Sequence, residues 1–111
     1  MSIQYSDFEK VDIRVGTVVE ASLNEKSIKP SLVLIIDFGN VLGLKKTSAQ
    51  LTKHYKPEDL IGKQLAAVTN FPPKQIGKMI SEVLVLGFPD DDNQPVLVMP
   101  TKKIENGGKL F

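Results

Sequence analysis

The sequence predicts an all-β domain in which five strands curl into a barrel interrupted by one short helix. Three observations carry this expectation. Positions Ile13, Val15, Thr17 and Val19 alternate with a period of two, the spacing that turns one strand face inward. Ser31 to Phe38 is β-branched and almost wholly apolar, as suits a central strand buried on both faces. Only Ser48 to Tyr55 carries a helical pattern, with Ala49, Leu51 and Tyr55 loosely spaced and Thr47 or Ser48 able to cap it.

The elements run in order along the chain. Asp12 to Ala21 is the first strand, and Gly16 within it predicts a bulge or a close backbone approach where the strand bends. A polar connection, Asn24 to Pro30, leads into Ser31–Phe38. Gly39-Asn40 is a turn pair, after which Val41 to Lys46 returns as the hairpin partner. Past the helical stretch, Pro57 suits a first helical turn and Gly62 its exit. Gln64 to Phe71 is a strand stopped by Pro72-Pro73. Ile80 to Phe88 and Pro95 to Met99 are strands joined by the acidic tip Pro89 to Gln94, and Glu105 to Phe111 is a turn with a short apolar tail. A sandwich would fit the strand count, but a short helix between the third and fourth strands fits a barrel of the OB type. Closure also hides edges as apolar as 32–36 and 83–86.

The chain has 111 residues, 41% of them hydrophobic, which fits one domain spanning 1–111 with a single core. It begins without a basic stretch followed by an apolar run, so no signal peptide is expected. The longest apolar run, Leu32 to Ile36, falls far short of the roughly 20 residues of a membrane helix, so no membrane insertion is expected. Cysteine is absent, which excludes disulfides, thiol nucleophiles and thiolate zinc sites and suits a reducing, cytoplasmic setting.

The net charge of +1 names no partner, but its distribution does. Residues 1–40 carry −2, residues 41–80 carry +5 through seven lysines, and residues 81–111 carry −2. A basic centre between acidic flanks suits an anionic partner, and its plain alternative is a solvated lysine face. Thirteen of the fourteen basic residues are Lys, so nucleic acid would be met through backbone charge rather than bidentate base recognition.

Catalysis finds no constellation. The sole histidine, His54, lies in Lys53-His54-Tyr55-Lys56 and reads as a surface residue. Asp90-Asp91-Asp92-Asn93 lacks the glycine and terminal Glu of a calcium loop and reads as a solvated hairpin tip. With no phosphate loop, dinucleotide fingerprint or zinc spacing, no enzymatic activity, cofactor or metal is expected. The richest segment is Thr69 to Glu82. It leaves a strand through a double proline and presents Lys74 and Lys78 on a stiffened loop, while Asn70, Ser81 and Glu82 supply amide, hydroxyl and carboxylate groups. The plain alternatives are a turn residue for Asn70 and an outward strand face for Ser81 and Glu82.

Four ordered motifs give this chain a family resemblance. They are Asp12-Ile13-Arg14-Val15-Gly16, Tyr55 through Lys63, Asn70 through Ser81-Glu82, and the ending Gly107-Gly108-Lys109-Leu110-Phe111. The first three resemble the tRNA-binding domain family; the length, the ending, Lys46 through Thr52 and Ser81 through Gly87 narrow the resemblance to the bacterial export-related chaperones within it, over essentially the whole chain. The resemblance implies a homodimer built with extensions at about 1–11 and 100–111, and no catalysis. It implies unfolded preproteins or peptides as clients and the secretion ATPase as a partner. It also implies tRNA affinity through Asn70, Lys74, Lys78, Ser81 and Glu82. RNA-binding relatives commonly read Ser-Glu-Gly-Met where this chain reads Ser81-Glu82-Val83-Leu84. Independently of the family, Ile3, Tyr5, Phe8, Leu110 and Phe111 are apolar at two chain ends, and a symmetry mate that covered them would create an apolar, peptide-sized seam. Intramolecular packing of the two ends is the alternative.

Overall fold

A computed structural model describes residues 1–24 and 28–111; part of the expected Asn24–Pro30 connection lies outside the described residues. The elements run α1 (Tyr5–Glu9), β1 (Ile13–Asn24), β2 (Ser31–Asp37), α2 (Gly39–Leu42), β3 (Leu44–Ala49), α3 (Pro57–Leu60) and β4 (Gln64–Val68). They continue with β5 (Lys74–Ile76), β6 (Met79–Ser81), β7 (Leu84–Val85), β8 (Gly87–Pro89) and β9 (Pro95–Leu97). The main sheet is antiparallel in the order β3-β2-β1-β4-β7, and β5–β6 and β8–β9 form two further hairpins. None of the described helices is long and apolar enough to cross a membrane.

The long strand β1 makes the sheet curl. Its first half pairs with β4 and its second half with β2, and the register shifts between Val18 and Glu20. The expected break in β1 therefore takes two forms. The bulge falls after Val18, and Gly16 is the close approach. A Cβ on Gly16 would sit 2.6 Å from Ile36 Cγ2 and 2.8 Å from Phe38 Cδ1, so the sheet folds over a position with no room for a side chain.

Inside the curl lie Val18, Leu32, Leu34, Ile36, Phe38, Leu51, Leu60, Leu65, Ala67, Val83 and Leu97. Alternation in β2 sends Leu32, Leu34 and Ile36 inward, while Val33, Ile35 and Asp37 on the other face are half-buried. The expectation of burial on both faces thus holds fully for one. The outer face of β2 is covered only in part.

Three expected elements differ from the structure. Val41 and Leu42, expected to open the returning strand, belong to the helical turn α2, and β3 begins only at Leu44. The helix predicted over Ser48–Tyr55 does not form. Ser48 and Ala49 complete β3, and the chain then makes a single turn in which the Tyr55 N–H donates to the Leu51 carbonyl at 3.1 Å. Leu51 reaches the core from that turn, so burial rather than helical periodicity explains its apolar character. The helical turn comes later, at Pro57–Leu60, where Asp59 Oδ2 accepts the Lys56 N–H (3.0 Å) and Gly62 exits at φ +86°. The single strand predicted over Ile80–Phe88 is divided among β6, β7 and β8, because successive parts of it pair with β5, β4 and β9.

The C-terminal segment runs along the opening of β1. Val15 N–H donates to Gly108 O, Gly107 N–H to Val15 O, and Leu110 N–H to Ile13 O. Gly107 stands at φ +94°, and a Cβ there would meet the Phe38 carbonyl at 2.5 Å. Gly107, the first of the ending's two glycines, is therefore what lets the tail lie flat on the barrel.

Candidate ligand-binding face

Beyond β4, the chain leaves the barrel at Thr69-Asn70, turns through Phe71-Pro72-Pro73, and projects the β5–β6 hairpin before returning at Ser81-Glu82. Both ends of this excursion are fixed by side chains. At the start, Asn70 Oδ1 accepts the Asp12 N–H (3.0 Å) while Nδ2 donates to the Lys10 carbonyl (2.7 Å). Thr69 Oγ1 donates to the Asp12 carbonyl (3.0 Å) and to its carboxylate. Burial works against the Asp12 charge, but the Thr69 hydroxyl and the Arg14 guanidinium outweigh it, holding this carboxyl below its ordinary pKa.

At the far end, Ser81 is 7% exposed. Its Oγ accepts the Ser48 N–H (2.8 Å) and lies 3.3 Å from Thr47 Oγ1, which donates to the Val83 carbonyl (2.8 Å). Glu82 Oε1 accepts the Lys46 N–H (3.0 Å), and the Glu82 N–H donates to the Lys46 carbonyl (2.8 Å). The plain alternative for Ser81 and Glu82 is an outward strand face. Ser81 instead turns inward, and Glu82 is half-buried against β3.

Between these ends, Lys74 and Lys78 are exposed and, among the described residues, make no ion pair. A concavity of about 660 Å³ brings Lys74, Ser81 and Glu82 together with Phe71, Ile76 and Leu84; Asn70 and Lys78 lie outside its lining. Phe71 is 55% exposed although aromatic. Sequence reasoning passed over Phe71, Ile76 and Leu84; the available signal was Phe71 and Ile76 on either side of Pro72-Pro73 and Lys74, while Leu84 lies within the apolar run Val83–Leu86 and carries none. Both residues that stand in place of Gly-Met line the concavity. Val83 is also buried in the core, whereas Leu84 presents an exposed apolar group there.

The two chain ends form a second, more apolar feature. Leu110 and Phe111 line a cleft of about 390 Å³ with Ile13, Val15, Met99 and Ile104. Ile3, Tyr5 and Phe8 do not line it. The Tyr5 and Phe8 rings stand 6.0 Å apart on α1, and Lys109 Nζ donates to the Glu9 carbonyl (3.0 Å), so tail and helix are tied side by side. Ile3, Tyr5, Leu110 and Phe111 are exposed, and Phe8 is half-buried. The alternative of the two ends packing on each other leaves most of this surface uncovered.

The acidic tip is not freely solvated. Asp90 accepts the backbone N–H groups of Gln94 (2.8 Å) and Asp92 (2.9 Å), and its Oδ2 lies 2.6 Å from His54 Nε2 and 3.2 Å from Lys53 Nζ. Lys53 also pairs with Asp92. The N–H of Gln94, together with His54, Lys53 and the N–H of Asp92, holds the Asp90 carboxyl well below the ordinary carboxylate range against the cost of burial. Asp92 and Asp90 in turn raise the pKa of the Lys53 ammonium.

A curled five-stranded antiparallel barrel with a lysine-bearing hairpin at its side is an OB-fold. The chain belongs to the tRNA-binding domain family: residues 13–109 match the model described as "Putative tRNA binding domain". Over the full length it is similar to two solved chaperones. It is 45% identical to the chaperone CsaA of Bacillus anthracis str. Ames (TM-score 0.94, 100% of each chain covered). It is 48% identical to the CsaA chaperone protein of Picrophilus torridus (TM-score 0.91, covering 99% of this chain and 100% of that one). Among curated proteins it is 32% identical to the methionine–tRNA ligase of Bacteroides fragilis over 98% of its own length. The chain spans only 16% of that relative.

Proposed function

We propose that this chain is a non-enzymatic, CsaA-like chaperone that binds unfolded preproteins during export, on a tRNA-binding-domain scaffold. The observation that carries the reading is the end-to-end likeness to two solved CsaA chaperones, extensions included, whereas the ligases share one small part. Two apolar concavities edged by lysines, at Phe71–Leu84 and at the chain ends, suit extended apolar segments. In this reading a second copy covers Ile3, Tyr5, Phe8, Leu110 and Phe111. The protein acts in the cytoplasm, with the secretion ATPase as a downstream partner. The test is light scattering of an aggregation-prone unfolded client with the pure protein. Suppression near stoichiometric ratio is expected, and none at excess removes the chaperone reading.

A second reading, tRNA binding, is favoured by Lys74 and Lys78, which stand on the projecting hairpin without an ion pair among the described residues, and by the family itself. Affinity for tRNA should then fall with salt at a log–log slope of roughly −0.7 to −0.9 per phosphate neutralised. No binding at low salt excludes it.

A further inference from the structure

We propose that Asn70, Ser81 and Glu82 are positioning residues that clamp the loop 70–82 at its two ends, leaving ligand contact to Phe71, Lys74 and Lys78 between them. The proposal rests on the reading of this face as ligand-binding and divides its residues by what their polar atoms already hold.

Asn70 is engaged at both of its polar side-chain atoms. Its amide oxygen holds the Asp12 N–H and its amide nitrogen the Lys10 carbonyl, so both ends of the side chain bridge to the segment joining α1 to β1. A side-chain amide placed like this substitutes for a strand partner. With one N–H and one lone pair committed to the backbone, its plane is fixed against this segment rather than free to turn toward a base edge.

Ser81 and Glu82 do the same for β3. That strand pairs with β2 on one side only, and an unpaired edge presents backbone N–H groups at alternate residues. At Lys46 and Ser48, two residues apart, these groups donate to Glu82 Oε1 and Ser81 Oγ instead of to a neighbouring strand. The two side chains therefore complete the barrel wall where strand pairing stops. They also fix the direction in which the β5–β6 hairpin leaves it. Thr47, donating to the Val83 carbonyl from the buried side, locks the same junction.

What remains for a ligand is the stretch held between the clamps. Lys74 and Lys78 are exposed cations, and Phe71 offers an open aromatic face. Cations supply salt-dependent contact, and an aromatic face supplies salt-insensitive stacking or apolar contact.

The test reads the two roles separately. Amide hydrogen exchange on the free protein monitors Asp12, Lys46 and Ser48. Asn70→Ala should speed exchange at Asp12, Glu82→Ala at Lys46 and Ser81→Ala at Ser48, each about tenfold, with the rest of the barrel unchanged. Glu82→Gln should restore protection at Lys46, because an amide oxygen accepts the same bond. Unchanged exchange at the paired amide overturns the clamp for that residue, whatever ligand the protein binds.

Titration with bulk tRNA over a salt series then reads contact. Lys74→Gln and Lys78→Gln should each flatten the log–log slope by about 0.7 to 0.9. Ser81→Ala and Asn70→Ala should lower affinity several-fold with the slope intact, and Glu82→Gln should rescue what Glu82→Ala loses. Loss of affinity in Ser81→Ala or Asn70→Ala with normal exchange at Ser48 or Asp12 would make that residue a direct contact and overturn the proposal. If tRNA does not bind at all, the tRNA reading fails while the exchange data still decide the clamps.

Discussion

The lysine-bearing loop 70–82 and the acidic tip 90–94 are both charged connections between short antiparallel strands, yet they use their charge in opposite ways. At the tip, Asp90 is surrounded by four donors from its own chain, and Asp92 is paired with Lys53. On the loop, Lys74 and Lys78 face outward with no ion pair among the described residues. Charge satisfied within the fold shapes the hairpin that carries it. Charge left outward is available to a partner. Sequence counts the two alike, and only the geometry separates them.

The sharpest way to break this contrast is to reverse the outward charge. Lys74→Glu combined with Lys78→Glu should weaken tRNA binding on the order of a hundredfold at low salt. Thermal stability should stay near wild type, since neither lysine holds another residue. A filter-binding or fluorescence titration checks the first expectation and a melting curve the second. Unchanged affinity would mean that the ligand face lies elsewhere on the barrel.

The converse change removes satisfied charge. Asp90→Asn should lower Tm by a few degrees with tRNA and client binding unaltered, because one of its oxygens becomes a donor among donors. The depressed pKa sets the pH dependence. A carboxylate whose folded pKa lies below its unfolded value of about 4 contributes stability above that value and loses it as pH falls through the folded one. The wild-type advantage in Tm should therefore be full at pH 6 and shrink progressively below about pH 4. A gap that widens on acidification would contradict the assigned role of Asp90.

The same contrast explains what was legible beforehand. The apolar run of β2, the Pro57 start and the Gly62 exit are local signals, and the structure obeys them; alternation in β1 marks a strand but not its inner face, since Val18 enters the core while Val19 is exposed and Ile13 and Thr17 are half-buried, the register shifting just past Val18. Gly16 announced a close approach because a glycine inside a strand has few other uses. Ser81 and Glu82 could be picked out as chemically able groups, but their partners lie in β3, 33 and 36 residues away, and no local pattern specifies such a bond. Asp90 is equally far from His54. The expected helix at Ser48–Tyr55 failed for a related reason. Ala49 and Leu51 are apolar because a strand end and a turn both face the core, and tertiary burial overrode a loose helical spacing.

The smallest expected effect tests whether being paired is enough. Asp92 binds Lys53 as Asp90 does, but its side chain is 75% exposed against 19% for Asp90, and among the described residues no backbone N–H donates to its carboxylate. An ion pair in water gains little attraction and costs side-chain freedom in both partners. Asp92→Asn should therefore leave Tm within experimental error, and raising the salt concentration should not change that. Asp90→Asn should remain destabilising in the same salt, since backbone hydrogen bonds are screened far less than exposed ion pairs. Equal losses from the two substitutions, both abolished by salt, would show that Coulombic pairing holds the tip. Unequal losses would leave the backbone bonds to Asp90 as its anchor, and the distinction between the two loops would then rest on hydrogen-bond geometry rather than on net charge.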